Sequence, residues 1–313
     1  NMALGNPYLE PYFNHNIRSR FSYSNKKTFF TLRGGIRGTL VQNAITSAQW
    51  YDQNGVQYSL PVNGPTDKSF NVNLFINTPF AKSNFSMSSM TFANYNEATS
   101  YIGVSDLNMD EYFRDPAGNK TENFNYALFH LNYGDDITKS GDFKTNHTQT
   151  IGVTQRLEFK YRNDDLELKV AGRTRVNKSW YTMKNSQLDA TWNNQVDGSM
   201  NWTVPGGINL IAEANYNWYE GYTTPQEDEI ILNAEITKLL FKKKLTLALK
   251  AYDILGQSKN LSVSDSANYH METRNNTLGR YIILSFTYRF GNFGGPGGGR
   301  GPGGHGPMGR RPF

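Results

Sequence analysis

The chain has 313 residues, a formal net charge of +5 at pH 7, 14% aromatic residues and no cysteine. Without cysteine it can build neither a disulfide framework nor a thiolate metal site. No apolar run reaches the length of about 18 residues that a membrane-spanning helix needs, and the weight of Tyr, Phe, Asn, Thr and Ser favours strands over helices.

Much of the charge excess sits at Arg300, Arg310 and Arg311, so it says little about the body of the chain. The sequence opens NMALGNPYLE, with neither a basic segment nor an apolar one behind it. An exported protein with this start is expected to be processed or truncated there.

Alternation of period two marks eleven strands, over 13–24, 28–42, 69–78, 85–98, 149–162, 165–176, 187–203, 207–219, 229–240, 244–255 and 280–290. The first places Arg18 and Arg20 on its polar face. The second sets Phe30, Leu32, Ile36 and Leu40 against Arg33 and Arg37. The fifth sets Ile151, Val153, Leu157 and Phe159 against Arg156, Glu158 and Lys160. The sixth sets Leu166, Leu168 and Val170 against Glu167, Lys169, Arg173 and Arg175. On the eighth, Ile208, Leu210, Ala212 and Ala214 oppose Asn209, Glu213 and Asn215. The tenth carries Leu245, Leu247 and Leu249, and the last, RYIILSFTYRF, carries Ile282, Leu284, Phe286, Tyr288 and Phe290 on one parity.

One-sided sheets of a soluble sandwich alternate in the same way. The connections separate the two cases. Tight turns at 25–27, 81–84, 163–164, 205–206 and 242–243 alternate with long connections at 43–68, 99–148, 177–186, 220–228 and 256–279. Short turns at one end and long loops at the other are the mark of an outer-membrane barrel. The last strand then runs toward the short-turn side, which puts the carboxyl end in the periplasm. The fold class expected is therefore all-β, an antiparallel transmembrane β-barrel of which about eleven strands are present.

Segment 121–133 (TENFNYALFHLNY) also alternates, but a crossing there breaks the rhythm. It is expected as a hairpin arm or short helix within a large external insertion, 99–148. Trp192 and Trp202 share the outward parity of the seventh strand. Ten residues of tilted strand span roughly 25 Å, the height of the apolar band between two aromatic girdles. Trp218, with Tyr216, and the pairs Trp180–Tyr181 and Trp50–Tyr51 lie near long-loop ends, where a girdle is expected. The barrel portion runs over 1–290. The tail, 291–313, is too rich in Gly and Pro to bury a core and is expected as a disordered periplasmic extension. Its few arginines resemble RNA-binding segments only superficially, and no nucleic-acid partner is expected.

The opening GNPYLEPYFNHNI (residues 5–17) resembles a segment of the barrels of TonB-dependent receptors. LTLALKAYDILGQ (245–257) resembles a strand near the carboxyl end of those barrels, and RYIILSFTYRF their closing strand. The three stand in the same order as in that superfamily. The resemblance implies a 22-stranded barrel of which this chain is the carboxyl-terminal half, with a plug domain and a TonB-binding segment upstream. An open sheet of eleven strands otherwise leaves two unpaired edges in lipid, unless further copies or a partner chain close it. The resemblance also implies that Phe286, Tyr288 and Phe290 form the signal read by the outer-membrane assembly machinery.

No catalytic constellation is present. The five histidines are scattered, without metal-ligand spacing, and no nucleophile elbow occurs. Asp106, Asn108 and Asp110 have calcium-loop spacing but lack the turn glycine, so a solvated loop is expected. Neither enzyme activity nor a cofactor is expected. The functional residues are then the lumen-facing set: Arg18, Arg20, Arg33, Arg37, Arg156, Glu158, Lys160, Lys169, Arg173, Arg175 and Glu213. They are expected to meet water or a plug, or to guide an anionic solute. The expected function is uptake of a scarce solute across the outer membrane; the alternative is a structural or adhesive barrel without active transport.

Overall fold

A computed structural model describes residues 2–80, 82–104, 107–134, 136–183, 190–222, 225–241, 244–258, 261–265, 270–274 and 278–290. The tail at 291–313, the turn at 242–243, and Asp106 lie outside the described residues.

The elements in chain order are β1 (Met2–Ala3), β2 (Phe13–Ser24), β3 (Thr31–Gln42), β4 (Ile45–Tyr51), β5 (Gln57–Asn63), β6 (Asp67–Pro79), β7 (Phe85–Gly103), a 3-10 turn (Asp110–Phe113), α1 (Tyr126–Tyr133), β8 (Phe143–Arg162), β9 (Leu166–Tyr181), β10 (Thr191–Val204), β11 (Ile208–Glu220), β12 (Glu229–Leu240), β13 (Leu245–Tyr252), β14 (Leu261–Asp265), β15 (His270–Arg274) and β16 (Tyr281–Tyr288). All but β14 and β15 join one sheet of 14 strands. Within it β2, β3, β6, β7, β8, β9, β10, β11, β12, β13 and β16 form a continuous antiparallel meander of eleven strands. These are the eleven strands read from the alternation. The last is shorter than expected: β16 ends at Tyr288, and Phe290 lies beyond it.

Local chemistry makes the tight turns. The Asn25 side chain accepts the Lys27 and Thr28 backbone N–H groups at 2.9 and 3.3 Å. Asn163 does the same for Asp165 and Leu166 at 3.0 and 2.7 Å. An asparagine that mimics a backbone turn in this way lets the chain reverse within a few residues. Between β10 and β11 the reversal uses Gly206 and Gly207, both at positive φ (89° and 73°).

The register gives the meander two chemically distinct faces. One cross-strand row runs Leu284, Leu249, Ile236, Leu210, Trp202, Leu166; the neighbouring row runs Ile283, Lys250, Glu235, Ile211, Asn201, Glu167. Among the described residues no second layer covers the apolar face: Ile282 is 70% exposed, Phe286 68% and Val170 56%. A soluble monomer does not leave so wide an apolar surface in water, whereas lipid chains cover it without cost.

The buried core lies elsewhere. β7 and β8 are 19 and 20 residues long, well beyond the 9–11 or so that cross a bilayer, and their extra length carries a cap. Above the end of β6, β4 takes its place beside β7 in parallel, pairing Ala48 with Tyr101. The β4–β5 hairpin, the 3-10 turn and α1 then close over a cluster of Trp50, Leu60, Val62, Met109, Tyr112, Phe124, Phe129, Tyr133 and Phe143. Segment 121–133 does not join the sheet. Asn125 caps α1 by accepting the Leu128 N–H at 3.1 Å, and Gly134 at φ 57° ends it.

This cluster corrects one aromatic assignment. Trp50 is 2% exposed and stacks on Tyr58 at 5.5 Å, so it belongs to the cap's core and not to a membrane girdle. The connection at 43–68, read as a loop, holds the β4–β5 hairpin; a second hairpin, β14–β15, lies within 256–279. The opening segment is strapped to the cap: Leu4 donates its N–H to Ser59 O at 2.9 Å, and Tyr8 stacks on His130 at 4.4 Å.

Candidate functional site

The residues with chemistry converge on the polar face of the meander. Register places Arg18 and Arg20 on β2, Arg33 and Arg37 on β3, Arg156, Glu158 and Lys160 on β8, Lys169, Arg173 and Arg175 on β9, and Glu213 on β11 all on that one face. Period-two geometry makes this unavoidable once neighbouring strands pair without a slip.

The charges divide into two groups. The first meets charges of opposite sign, around β8 and between β12 and β13. Arg156 spans Asp197 on β10 at 2.9 Å and Glu158 at 3.5 Å. Lys160 meets Glu167 at 2.9 Å, with Arg162 at 3.6 Å from the same carboxylate. Lys250 meets Glu235 across β13 and β12 at 2.9 Å. Lys169, Arg173 and Arg175 on β9, and Arg18, Arg20, Arg33 and Arg37 on β2 and β3, make no ion pair among the described residues; Arg37 reaches only the neutral Asn16 Oδ1, at 3.3 Å from Nη2. A concavity of about 640 Å³ lies over β6, β7 and β8, against Phe75, Met90, Arg156, Glu158 and Lys160.

The apolar face carries Trp192, Trp202 and Trp218, opposite Glu220, Leu210 and Asn194 respectively. Trp192 and Trp202 are 41% and 42% exposed, and Trp218 stacks on Tyr216 at 5.2 Å. Phe286 and Tyr288 project from the same face of β16, and the Phe290 ring meets that of Tyr288 at 4.6 Å. Among the described residues no cluster of His, Asp and Glu is arranged to hold a metal ion. Asp110 is occupied by Lys120 at 3.5 Å.

Alternation does not reveal who pairs with whom. The Arg156–Asp197 contact joins β8 to β10 across an intervening strand, where Ala171 leaves room between them. Ala171, 1% exposed, is the one signal of it in the sequence: a small residue in a charged row. Gly152 has a similar place. A Cβ there meets Asn94 Oδ1 at 2.5 Å and Asn177 Oδ1 at 2.9 Å, so both amides fold over the glycine.

Comparison with known proteins agrees with this geometry. Residues 145–288 match the Outer membrane protein beta-barrel family. The fold is that of part of an outer-membrane β-barrel. The matched stretch contains LTLALKAYDILGQ and the strand portion of RYIILSFTYRF, two of the segments that resemble TonB-dependent receptor barrels. Among solved structures, the barrel segment is similar to the copper transporter OprC, at 11% identity over 77% of this chain and 36% of that one, with a TM-score of 0.42. It is also similar to the ferric-catecholate import receptor Fiu from E. coli K12 in its open form, at 10% identity over 88% and 62%, with a TM-score of 0.32. The chain thus spans about a third and about three fifths of their lengths. No curated protein matches it. No helix among the described residues is long and apolar enough to cross a membrane.

Proposed function

We propose that this barrel segment forms part of a TonB-dependent-receptor-like transporter that takes up a scarce solute across the outer membrane. The observation that carries the reading is the two-faced meander: one face apolar and uncovered, the other polar, with arginine, lysine and carboxylate groups on most of its strands. A wall of this kind belongs between lipid and a hydrated interior. The polar face is then the lumen, and the long-loop end, with the cap, faces the outside. Trp192, Trp202 and Trp218 sit at the lipid interfaces. The remaining strands and a plug come from other parts of the parent protein, and TonB supplies the energy. Phe286, Tyr288 and Phe290 serve the assembly machinery as the exposed aromatic end of the last strand.

The test is uptake. Cells lacking the parent gene and cells carrying it are given labelled iron chelates, glycans and peptides, with and without the inner-membrane proton gradient. Gradient-dependent uptake of one class, lost in the deletion, is the expected result. Unchanged uptake of every class, with loss of surface adhesion instead, marks the barrel as an adhesive scaffold. The cap favours that second reading: it is an ordered, aromatic-cored subdomain at one rim.

A further inference from the structure

We infer that Arg18, Arg20, Arg33 and Arg37 form an anion-binding site on the inner wall, one that takes a carboxylate or phosphate group from outside the described sheet. The inference rests on the polar face being the lumen. Arg18 and Arg37 are directly opposite across β2 and β3, and Arg20 is opposite Gly35, which Arg33 and Arg37 flank on β3. Like charges directly opposite in an antiparallel pair destabilise it. A sheet retains them where something anionic separates them.

That anion is not supplied by the neighbouring strands. Beside the cluster, β6 and β7 place Asn71, Asn73, Phe75, Met90, Phe92 and Asn94 on the same face. Asp67, at the far end of β6, is engaged by the Thr99 N–H at 3.3 Å. Farther round, Glu158 and Asp197 are held by Arg156, Glu167 by Lys160 and Glu235 by Lys250, and Glu213 lies on β11, opposite Ser199 and Asn233. Where like charges face each other across β8 and β9, Arg156 opposite Arg173 and Lys160 opposite Lys169, carboxylates lie beside them; the arginines of β2 and β3 have none among the described residues.

The backbone provides the floor. Gly35 is buried in the middle of the four arginines, and a Cβ there approaches Asn73 Oδ1 at 2.8 Å. With no side chain of its own, this position lets Asn73 lie against the strand, and its amide can add a neutral donor to the guanidinium groups. Guanidinium forks recognise carboxylate and phosphate through paired N–H donors. The occupant is therefore an oxyanion, and it comes from one of two sources: a free anionic solute, or acidic side chains of another segment of the same protein.

These 313 residues have no cysteine, so Ser22→Cys, opposite Arg33 on the inner face, introduces their single thiol; it is made in the full-length parent protein with any cysteine elsewhere replaced by serine. Its reaction with an anionic and a cationic methanethiosulfonate of equal size is followed in outer-membrane preparations. The expected result is about a tenfold preference for the anionic reagent, as a focused positive field gives, abolished by Arg33→Gln/Arg37→Gln. Slowing by millimolar inorganic phosphate identifies a free anion as the occupant. A thiol closed to both reagents at low salt but opened at roughly 0.5 M NaCl, where the screening length falls to a few Å, identifies an acidic segment. Equal rates insensitive to the arginine substitutions, or a thiol closed at both salt levels, overturn the site. A thiol reached only by a lipid-soluble maleimide instead overturns the assignment of this face to the lumen. Ser19→Cys, on the opposite face beside Ile36, is the control for that outcome.

Discussion

Asp253 shows how one residue decides a motif. In LTLALKAYDILGQ it sits just past β13 at φ 46°, a conformation rarely adopted outside glycine, asparagine and aspartate. It is 6% exposed and makes no ion pair among the described residues. Its Oδ1 accepts the Gln257 N–H at 3.0 Å and its Oδ2 accepts the Ser258 N–H at 3.1 Å, while its own N–H donates to Asn233 Oδ1 at 2.9 Å. The carboxylate thus folds the chain over the end of the strand and satisfies donors that the turn leaves without backbone partners. Asp253→Ala strands two of these donors and is expected to destabilise the barrel by about 1–3 kcal/mol. Asp253→Asn keeps one acceptor and tolerates the positive φ, so its cost is smaller. Urea midpoints of the refolded protein in detergent check the order; equal midpoints for all three proteins remove the turn role. A similar economy appears at Gly34, where the Phe21 ring lies over the bare backbone so closely that a Cβ there comes within 2.3 Å of it. An aromatic side chain covering a strand glycine protects its hydrogen bonds and fixes register.

Strands were legible because their signal is local. Period-two alternation and the asparagine and glycine turns lie within a dozen residues of each other, and the eleven strands of the meander follow from them. The cap was not legible. Leu60 and Val62 alternate over too short a run, and β4 joins β7 in a parallel pairing that no hairpin rule predicts. Segment 121–133 alternates like a strand yet folds as α1, because Phe129 and Tyr133, four residues apart on one helical face, reach the aromatic cluster. Pairing of charges is hidden for the same reason: it depends on neighbours on other strands, two strands away for Arg156 and Asp197. The cap has its own pH signature. Burial first, then the neighbouring Tyr112 and the bond from its hydroxyl to Asp142 at 3.0 Å, push the Tyr133 phenol well above its ordinary range. Burial raises Tyr112 as well. A phenol raised in the fold contributes stability that is fully present below the unfolded value of about 10 and is lost as pH rises above it. The cap is therefore expected to open at alkaline pH while the meander persists. Protease cleavage within 104–142, followed beside tyrosinate absorbance, checks this. In Tyr133→Phe the ring packing remains and the alkaline step is expected to shrink; an unchanged step assigns it to other groups.

At the scale of the molecule, the chain separates two kinds of hydrophobic surface. The cap buries its aromatic residues against one another, as a soluble domain does. The meander exposes its own on a single face and leaves their burial to the bilayer. The five tryptophans report on this division. Trp192 and Trp202 lie on the apolar face ten residues apart along β10, close to half-exposed, and Trp218 lies on the same face of β11. Trp180 is 40% exposed on β9, while Trp50 is sealed in the cap at 2%. Lipids brominated along their acyl chains quench indoles only at contact, so they distinguish a lipid-facing residue from one buried in protein. In reconstituted bilayers Trp202→Phe is expected to remove a large share of the quenchable emission, and Trp50→Phe to remove emission that bromine does not touch. Bromine placed near the headgroups is expected to quench Trp192 and Trp202 more than bromine at the bilayer centre, because roughly 25 Å of tilted strand separates them and puts one at each interface. Stronger quenching from the centre places the apolar band at a different height on β10. Quenching of Trp50 as strong as that of Trp202 means that the cap is sunk into lipid and does not stand above it, and the crossing lengths of β7 and β8 then need to be redrawn.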